Sequence, residues 1–392
     1  MRNTFNPKIV PKDSILRLWL DARAVLETPY SFDLSCAISA IGAVLRRSYW
    51  VDQIKFKIFP NISTLVVGHS GIGKDTAIDG AELILQAVNT VPIIGGRTSE
   101  TILQRLLELN HDPTCAAILA GELSEFFGPK DYQKGMIETI TELMSTKGYK
   151  DVSLKGAMKS GGPSRIVRPT LTMMGGSTRD WLHSAMPEAA MSGGFYPRFL
   201  IVCEDQTKRS VPLLKYSIAP AELAAAESAQ EEFFIHMRAI AQDFMEVGEA
   251  VLTASAVEAY NVFYDERTSW FSSGAQPYAH RCRDTALKIA MVSAISRFHT
   301  KVDYPDIEFA ANLIEYVGAR IDDALAPPTQ YAVVRKEILK LLPASGSHIF
   351  KQLEQRYDPI VIRKAIEFML VGIRAGDEGQ IECKGGIYKK RD

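Results

Sequence analysis

The sequence predicts an α/β fold in which helices precede a mostly parallel sheet, and a helical region and a small winged unit follow it. Between residues 63 and 203, short apolar runs alternate with polar helical stretches, a pattern typical of a parallel sheet covered by helices. After Glu204 the patterns are helical as far as Pro327-Pro328, where proline ends them. Residues 327–392 then show three helical patterns and a hairpin pattern, which predict a winged helix-turn-helix.

These changes of pattern divide the chain into four regions. They are a helical N-terminal region (1–58), an α/β core (59–210), a helical lid (211–326) and a winged helix-turn-helix (327–392). The N-terminal region is expected to form two helices between residues 13 and 50. The core is expected to form five strands, at residues 64–67, 91–94, 116–120, 170–174 and 199–203.

In the lid, no good strand is expected, and apolar spacing predicts four helices at residues 221–244, 254–271, 281–298 and 306–321. In the winged unit, the expected helices are residues 331–342, 348–356 and 359–371. Two short strands around residues 380–383 and 387–389, joined by Gly385-Gly386, complete it.

Composition limits the class of protein. The 392 residues are 46% apolar and carry a formal net charge of −1, so a folded core is expected and any basic surface must be local. Five cysteines are scattered without CxxC spacing, and the first residues lack the apolar core of a signal peptide. No apolar run is long enough to span a bilayer. We expect a soluble cytoplasmic protein with reduced thiols and no membrane partner.

The most specific motif is a phosphate-binding loop. An apolar run at residues 64–67 leads into a glycine-rich turn, and a helical pattern follows at once. Backbone N–H groups of such a turn wrap phosphates, the helix N-terminus adds partial positive charge, and the lysine reaches the terminal phosphates of ATP. The nucleotide-binding residues are Gly68, His69, Ser70, Gly71, Ile72, Gly73, Lys74, Asp75 and Thr76.

The metal and the catalytic base depart from the usual pattern. Asp75 stands where a serine or threonine usually follows the lysine, and Thr76 comes next, so either one is a candidate ligand for Mg²⁺. The run at 116–120 ends in Gly121 where a first acid is usual, and Glu122 follows. Glu122 is the candidate general base that orients water, unless it is an ordinary surface acid.

Two further strand ends carry candidate sensors of the nucleotide. Ser177 and Thr178 follow the run at 170–174, where a hydroxyl can sense the γ-phosphate or can instead cap a following helix. Arg198 precedes the run at 199–203. A cation there can reach the ATP of a neighbouring subunit, unless it is a salt-bridged surface arginine.

A basic segment lies between the acid strand and the sensor strand. Asp151 is its single acid among glycines and serines, and a hairpin there can track the phosphates of single-stranded DNA without reading bases. A solvated basic loop is the alternative interpretation. The candidate DNA-binding residues are Lys147, Lys150, Lys155, Lys159, Arg165 and Arg168. The winged unit is a second candidate for docking on DNA or on a protein.

The order of these features resembles the AAA+ class of ring ATPases: phosphate loop, acid, polar sensor, arginine and helical lid follow one another along the chain. The lid segment around residues 281–290 looks like the second-sensor helix of that class, with Arg281 or Arg283 as the sensor. A lid followed by a winged helix is similar to the MCM replicative helicases. Residues 60–322 also resemble helicase-like P-loop ATPases of phages and mobile elements, in the motifs around residues 59–61, 73–75, 121–125, 175–178 and 194–199.

The resemblance implies a ring-forming, ATP-dependent DNA helicase or translocase, with ATP and Mg²⁺ as cofactors. It implies a homo-hexamer in which Lys74 and Glu122 face Arg198 of the next subunit, and a separate primase or polymerase as partner, because no primase module is present in the sequence. A helicase loader or another ATP-gated DNA-binding switch is the alternative. A nucleoside-phosphate kinase, suggested by Gly73-Lys74-Asp75-Thr76, is a third hypothesis.

Overall fold

The computed structural model describes residues 5–95, 99–123, 130–145, 148–152, 164–179, 181–182, 194–244, 246–271, 275–325, 330–371 and 381–390. The chain divides into two compact units, residues 1–325 and 326–392. The first unit holds the parallel sheet and its covering helices, and the second holds three helices and a small sheet.

The helices of the first unit precede and follow the strands much as the sequence predicts. Their bounds are α1 Ile15–Ala22, α2 Tyr30–Leu45, α3 Lys74–Val88, α4 Ser99–Leu109, α5 Lys130–Leu143, α6 Leu214–Ser217, α7 Pro220–Asp243, α8 Ala254–Glu266, α9 Gln276–Ser296 and α10 Tyr304–Leu325. The predicted helix at 254–271 is α8 followed by a 3₁₀ turn, Arg267–Trp270.

The strands of the first unit form one main sheet and several short pairings. Their bounds are β1 Tyr49–Asp52, β2 Lys57–Ile58, β3 Ser63–Val67, β4 Cys115–Ala120, β5 Tyr149–Val152, β6 Ser164–Val167, β7 Thr170–Ser177, β8 Phe199–Cys203, β9 Gly248–Glu249, β10 Val251–Leu252 and β11 Lys301–Val302.

The main sheet has four parallel strands in the order β4-β7-β3-β8. Register pairs Ser63 of β3 with Phe199 of β8, and Val67 with both Ser177 of β7 and Cys203 of β8. Every residue of β3 and β8 is buried, as expected for strands with helices on both faces. Because the strands are parallel, their carboxyl ends meet at one edge of the sheet.

The prediction of a fifth strand at 91–94 was wrong. Only one isolated parallel bridge forms there, between Ile93 and Ala117 of β4. Ala117 donates to Pro92 O at 2.9 Å and accepts from Ile94 N at 2.8 Å. Pro92 has no N–H to donate, so the pairing cannot extend through it. The segment lies at the β4 edge of the sheet without forming a strand.

The N-terminal and lid regions also contain strands that the sequence did not predict. The helices expected between residues 13 and 50 end at Leu45, and β1 then pairs with β2 and with the distant β9. In the lid, β10 pairs with β11. These pairings are only two residues long, too short to leave an alternating apolar pattern.

One continuous apolar core joins the regions predicted as 1–58, 59–210 and 211–326. It includes Trp19 of α1, Val66 of β3, Phe233 of α7 and Ile289 of α9. The Trp19 and Phe233 rings are 4.8 Å apart between centroids. The N-terminal helices and the lid are therefore packed on the sheet as parts of one unit.

The second unit has its own apolar core. Its helices are α11 Gln330–Leu341, α12 Gly346–Leu353 and α13 Pro359–Val371. Its strands are β12 Ala344–Ser345, β13 Ile381–Lys384 and β14 Ile387–Lys390, in the order β12-β14-β13. The hairpin of β13 and β14 lies where the sequence predicts it, and β12 adds a third strand that was not predicted.

Among the described residues, no helix combines the length and the apolar character that a membrane span requires.

A tight contact of α2 offers a test of this packing. A Cβ added at Gly42 would lie 2.1 Å from Pro60 O, just before β3. Gly42→Ala favours the helix by about 1 kcal/mol, but the overpacking is larger, so we expect the free energy of unfolding to fall by about 2 kcal/mol or more. Urea denaturation measures it. Gly95→Ala, with open space around the new Cβ, is the control, and equal effects of the two would contradict the packing.

Candidate nucleotide site

The glycine-rich loop has the backbone geometry that its sequence predicts. It follows the buried strand β3 and ends at Gly73, the N-cap of α3. Gly71 and Gly73 have φ angles of 83° and 91°, a region that side chains other than glycine rarely adopt. Gly73 makes no side-chain cap, so the first N–H groups of α3 are directed at the loop without competition from a capping side chain.

Lys74 closes over this loop. Its side chain is buried, and Nζ donates to Gly68 O at 3.2 Å and to His69 O at 3.0 Å. An ammonium group held against the loop carbonyls lies within reach of any phosphate that the loop N–H groups bind. The structure thus brings the predicted lysine and the predicted loop together.

The ends of three strands surround the loop. Gly68 N donates to Ser177 O at 3.2 Å, and Glu204 N donates to Val67 O at 3.1 Å. A Cβ added at Gly68 would lie 2.9 Å from Glu204 O. Glu122 follows β4 at the same carboxyl edge and is half-buried. The candidate base, the candidate sensor Ser177 and the phosphate loop therefore share one edge of the sheet.

Asp75 occupies the position that Gly121 leaves open. A Cβ built on Gly121 would lie 3.1 Å from Asp75 Oδ1. The carboxylate of Asp75 thus stands at the end of β4, although it is attached to the first turn of α3. Carboxylate oxygens are ligands that Mg²⁺ prefers, so the donor set fits this ion.

The number of carboxylates also fits a nucleotide-bound magnesium ion. Among the described residues there is no group of three or more His, Cys, Asp or Glu side chains that would hold a metal alone. Mg²⁺ in nucleotide sites takes one or two carboxylates, and its remaining ligands are phosphate oxygens and water. Asp75 and Thr76 remain the candidate protein ligands of such an ion.

The two candidate sensors differ in their contacts. Ser177 is buried and donates from Oγ to Thr178 O at 3.3 Å. Thr178 Oγ1 accepts from Trp181 N at 3.3 Å, which is the capping contact considered as its alternative role. Ser177 pairs with Val67, the last residue before the loop. Both hydroxyls lie at the phosphate-loop edge.

A cation at this edge was not predicted from the sequence. Arg179 Nη2 forms an ion pair with Asp205 Oδ1 at 2.7 Å, and His69 Nε2 lies 3.1 Å from Asp205 O. Arg179 Nε is buried and has no hydrogen-bond partner among the described residues. Arg179 directly follows the sensor residues, so its position after a strand end could have indicated that it lies at this edge.

The N-terminal helices support the loop through a buried ion cluster. Asp33 is fully buried and accepts from Arg23 Nε at 3.0 Å and from Lys208 Nζ at 3.2 Å. Arg23 Nη2 also donates to Thr76 O at 2.6 Å. A Cβ added at Gly73 would lie 2.9 Å from Thr28 Oγ1. Residues 23–33 thus fix the start of α3, a role the sequence did not indicate.

Arg198 lies at the opposite end of the sheet from the phosphate loop. It precedes Phe199, which pairs with the first residue of β3, whereas the loop follows the last residue, Val67. The four intervening steps of strand span roughly 13 Å. Arg198 donates to Gly194 O and, at 3.0 Å, to Ser145 Oγ. Arg198 therefore cannot serve the phosphate loop of its own chain in this conformation.

Arg281 accompanies Arg198 and not the phosphate loop. Together with Lys57, Asp284 and Lys288 they line a pocket of about 200 Å³. Burial and the neighbouring Arg281 lower the pKa of Arg198 to about 10. Among the described residues that line the pocket, four are cations and Asp284 is the one carboxylate. The pocket is therefore suited to an anion.

Lys288 makes this pocket sensitive to pH. It donates to Asn61 O at 2.8 Å and to Asn61 Oδ1 at 3.0 Å. Burial is the main cause that lowers the pKa of Lys288 to about 8; the charge of Asp284 opposes this shift, and the charges of Arg198 and Arg281 add to it. The positive charge of the pocket is therefore greater below pH 8 than above it.

The remaining sensor candidate, Arg283, is not among the residues that line the basic pocket, but it pairs with one of them. Arg283 of α9 pairs with Asp284 at 3.3 Å, and its backbone O accepts from Tyr260 OH at 3.1 Å. Its side chain is about half exposed. Of the two sensor candidates, Arg281 lines the basic pocket and Arg283 does not.

The basic segment forms the predicted hairpin in its described part. β5 and β6 pair antiparallel, from Tyr149 with Val167 to Val152 with Ser164. β6 leads into β7 at the amino end of the sheet, the same end as Arg198. The hairpin thus leaves the sheet on the side opposite the phosphate loop.

Each described basic residue of this hairpin has an acidic partner. Lys150 pairs with Glu142, Arg165 with Asp151 at 2.7 Å and Arg168 with Asp112 at 2.5 Å. Asp151 is the single acid within the segment, and Glu142 and Asp112 from outside the segment also pair with its basic residues. The candidates Lys147, Lys155 and Lys159 lie outside the described residues.

No protein-family model and no curated protein matches this chain. The function must therefore be inferred from the geometry of the chain itself.

The ion cluster around Asp33 gives a prediction about stability. Arg23→Met removes one of the two cations and the donor to Thr76 O, leaving a buried carboxylate with less compensation. We expect the free energy of unfolding to fall by about 3–5 kcal/mol, measured by urea denaturation. Arg105→Met, which removes an exposed arginine from an ion pair with Glu108, should cost about 1 kcal/mol or less. Similar losses in both variants would contradict the structural role of Arg23.

Proposed function

We propose that this chain is an AAA+-like P-loop ATPase that forms a hexameric ring and moves along DNA, as a helicase or translocase in the replication of a phage or mobile element. The observation that carries the proposal is the loop between β3 and α3, with left-handed Gly71 and Gly73 and with Lys74 folded over it. It lies at the carboxyl end of a strand with neighbours on both sides, where open parallel sheets bind their ligands.

The carboxyl edge supports hydrolysis as well as binding. Glu122 follows β4 and Ser177 ends β7, and both strand ends lie beside the loop. In the proposed reaction Lys74 holds the terminal phosphates and Glu122 accepts a proton from the attacking water. Mg²⁺, when bound by Asp75 and the phosphates, would neutralise charge that develops on the phosphate oxygens.

The position of Arg198 supports a ring. It lies at the end of the sheet opposite the loop, together with Arg281. An arginine there can stabilise the transition state only at the loop of another subunit, which in a closed ring places each active site at a subunit boundary. The pocket containing Arg198, Arg281 and Lys288 would receive the phosphates of the neighbouring ATP.

Two features support nucleic acid as the partner. The hairpin of β5 and β6 extends from the amino end of the sheet, and its predicted lysines would contact the DNA backbone in the channel. The second unit, with three helices followed by a hairpin of β13 and β14, is proposed as a winged helix-turn-helix. Its docking target is proposed to be DNA or a protein partner such as a primase or polymerase.

The second candidate function is a helicase loader or another ATP-gated DNA-binding switch. The ion pairs of Lys150, Arg165 and Arg168 favour it, because basic residues already paired with carboxylates contribute less to phosphate binding. A switch would bind DNA in one nucleotide state without the repeated stepping that a motor needs.

ATP hydrolysis by the purified protein, with and without single-stranded DNA, tests the proposal. We expect DNA to stimulate turnover in a ring-sized species, with the particle size measured by light scattering. Strand displacement should then depend on ATP. DNA-independent turnover would favour the switch, and transfer of phosphate to an added nucleotide would favour a kinase. Absence of nucleotide binding to the wild type would refute all three.

A mixing experiment tests whether Arg198 acts between subunits. Arg198→Ala should still bind ATP, but its turnover should fall by about a thousandfold or more. Lys74→Ala should lose turnover because it no longer holds the terminal phosphates of ATP. An equimolar mixture should regain activity, because some boundaries then combine an intact loop with an intact arginine. Arg105→Ala, on the exposed surface of α4, is the control. A mixture as inactive as its components would contradict action in trans.

A further inference from the structure

In the proposed ATP site, the carboxylate of Asp75 lies beside Gly121, a residue without a side chain. The first residue after β4 has no side chain, and the residue after the phosphate-loop lysine is a carboxylate. A Cβ built on Gly121 would lie 3.1 Å from Asp75 Oδ1 and 3.9 Å from Asp75 Cγ. The side chain of one residue therefore occupies the space in which the side chain of the other would begin.

An aspartate at position 121 would crowd the carboxylate of Asp75 in this conformation. The new Cβ would already press on Asp75 Oδ1, and its carboxylate would add a second negative charge within a few ångströms. Gly121 is also close to β7, because a Cβ added at Gly176 would lie 2.2 Å from Gly121 O. The carbonyl of Gly121 is thus packed against β7.

We propose that Asp75 is the protein's carboxylate ligand of the nucleotide-bound divalent cation, delivered from the first turn of α3 to the place where the end of β4 would otherwise supply one. This inference rests on the proposed ATP site. Thr76 then acts through its backbone, whose O accepts from Arg23 Nη2 at 2.6 Å. Glu122, the neighbour of Gly121, remains the general base.

Equilibrium binding separates the metal contribution from that of the loop. The affinity for a non-hydrolysable ATP analogue is measured by titration calorimetry in EDTA and in Mg²⁺, for the full chain. In the wild type, Mg²⁺ should tighten binding. Asp75→Ser should keep the affinity measured in EDTA and lose about tenfold or more of the gain from Mg²⁺, because a direct ligand contributes at least as much as an outer partner.

Moving the carboxylate from position 75 to position 121 is the more discriminating part of the experiment. Gly121→Asp alone should weaken binding even in EDTA, because it places a second carboxylate against Asp75. The double variant Asp75→Ser/Gly121→Asp should regain the effect of Mg²⁺, a recovery that a merely structural role of Asp75 would not give. Mn²⁺ electron paramagnetic resonance in the ternary complex should show the same loss and recovery of the bound ion.

The matched control is Asp79→Ser. Asp79 lies one turn further along α3 and is exposed like Asp75, so its removal changes the net charge equally but not the metal site. Melting temperatures of all variants report folding.

Three results would overturn the inference. They are an unchanged Mg²⁺ effect in Asp75→Ser, a loss in Thr76→Val with none in Asp75→Ser, and no recovery in the double variant. In each of them the wild type still binds nucleotide, so the proposed ATP site stands. A wild type that binds no nucleotide in either buffer would remove both.

Discussion

The buried carboxylate of Asp33 is the interaction on which the site depends. It lies on α2, yet its two cations come from the end of α1 and from the segment after β8. Burial of a charge is costly unless it is paired and hydrogen-bonded. The desolvation cost of Asp33 is therefore offset only while Arg23 and Lys208 pair with it. Arg23 then extends the cluster to Thr76 O in the first turn of α3. The orientation of the phosphate loop is thus set by helices that precede the sheet.

Close backbone contacts fix the carboxyl edge in the same way. Gly68 lies against Glu204, and Gly121 lies against Gly176. Glu204 in turn accepts from Ser31 and from Tyr316 of α10. Backbone atoms therefore meet closely at this edge. The opposite edge collects Arg198, Arg281 and Lys288. In the proposed ring, this edge of one copy would face the phosphate-loop edge of the next.

Local features of this fold could be predicted from the sequence, and contacts between distant segments could not. The phosphate loop was predictable because its strand, glycines and helix are contiguous. The failure at 91–94 came from an apolar run in which Pro92 cannot donate, so that one bridge replaces a strand. The contact of Arg23 with Thr76, and those of Lys150 with Glu142 and of Arg168 with Asp112, join separate elements. No local pattern signals such pairs, so the sequence alone does not show that basic residues of the hairpin are paired with carboxylates.

The placement of a carboxylate at Asp75 has an electrostatic consequence of its own. The positive end of the dipole of α3 stabilises a negative charge in its first turn, but the phosphates of a nucleotide would use the same end. Two anions close together repel each other. A cation between them converts that repulsion into attraction. In the proposed ATP site, binding of nucleotide and binding of metal should therefore be coupled.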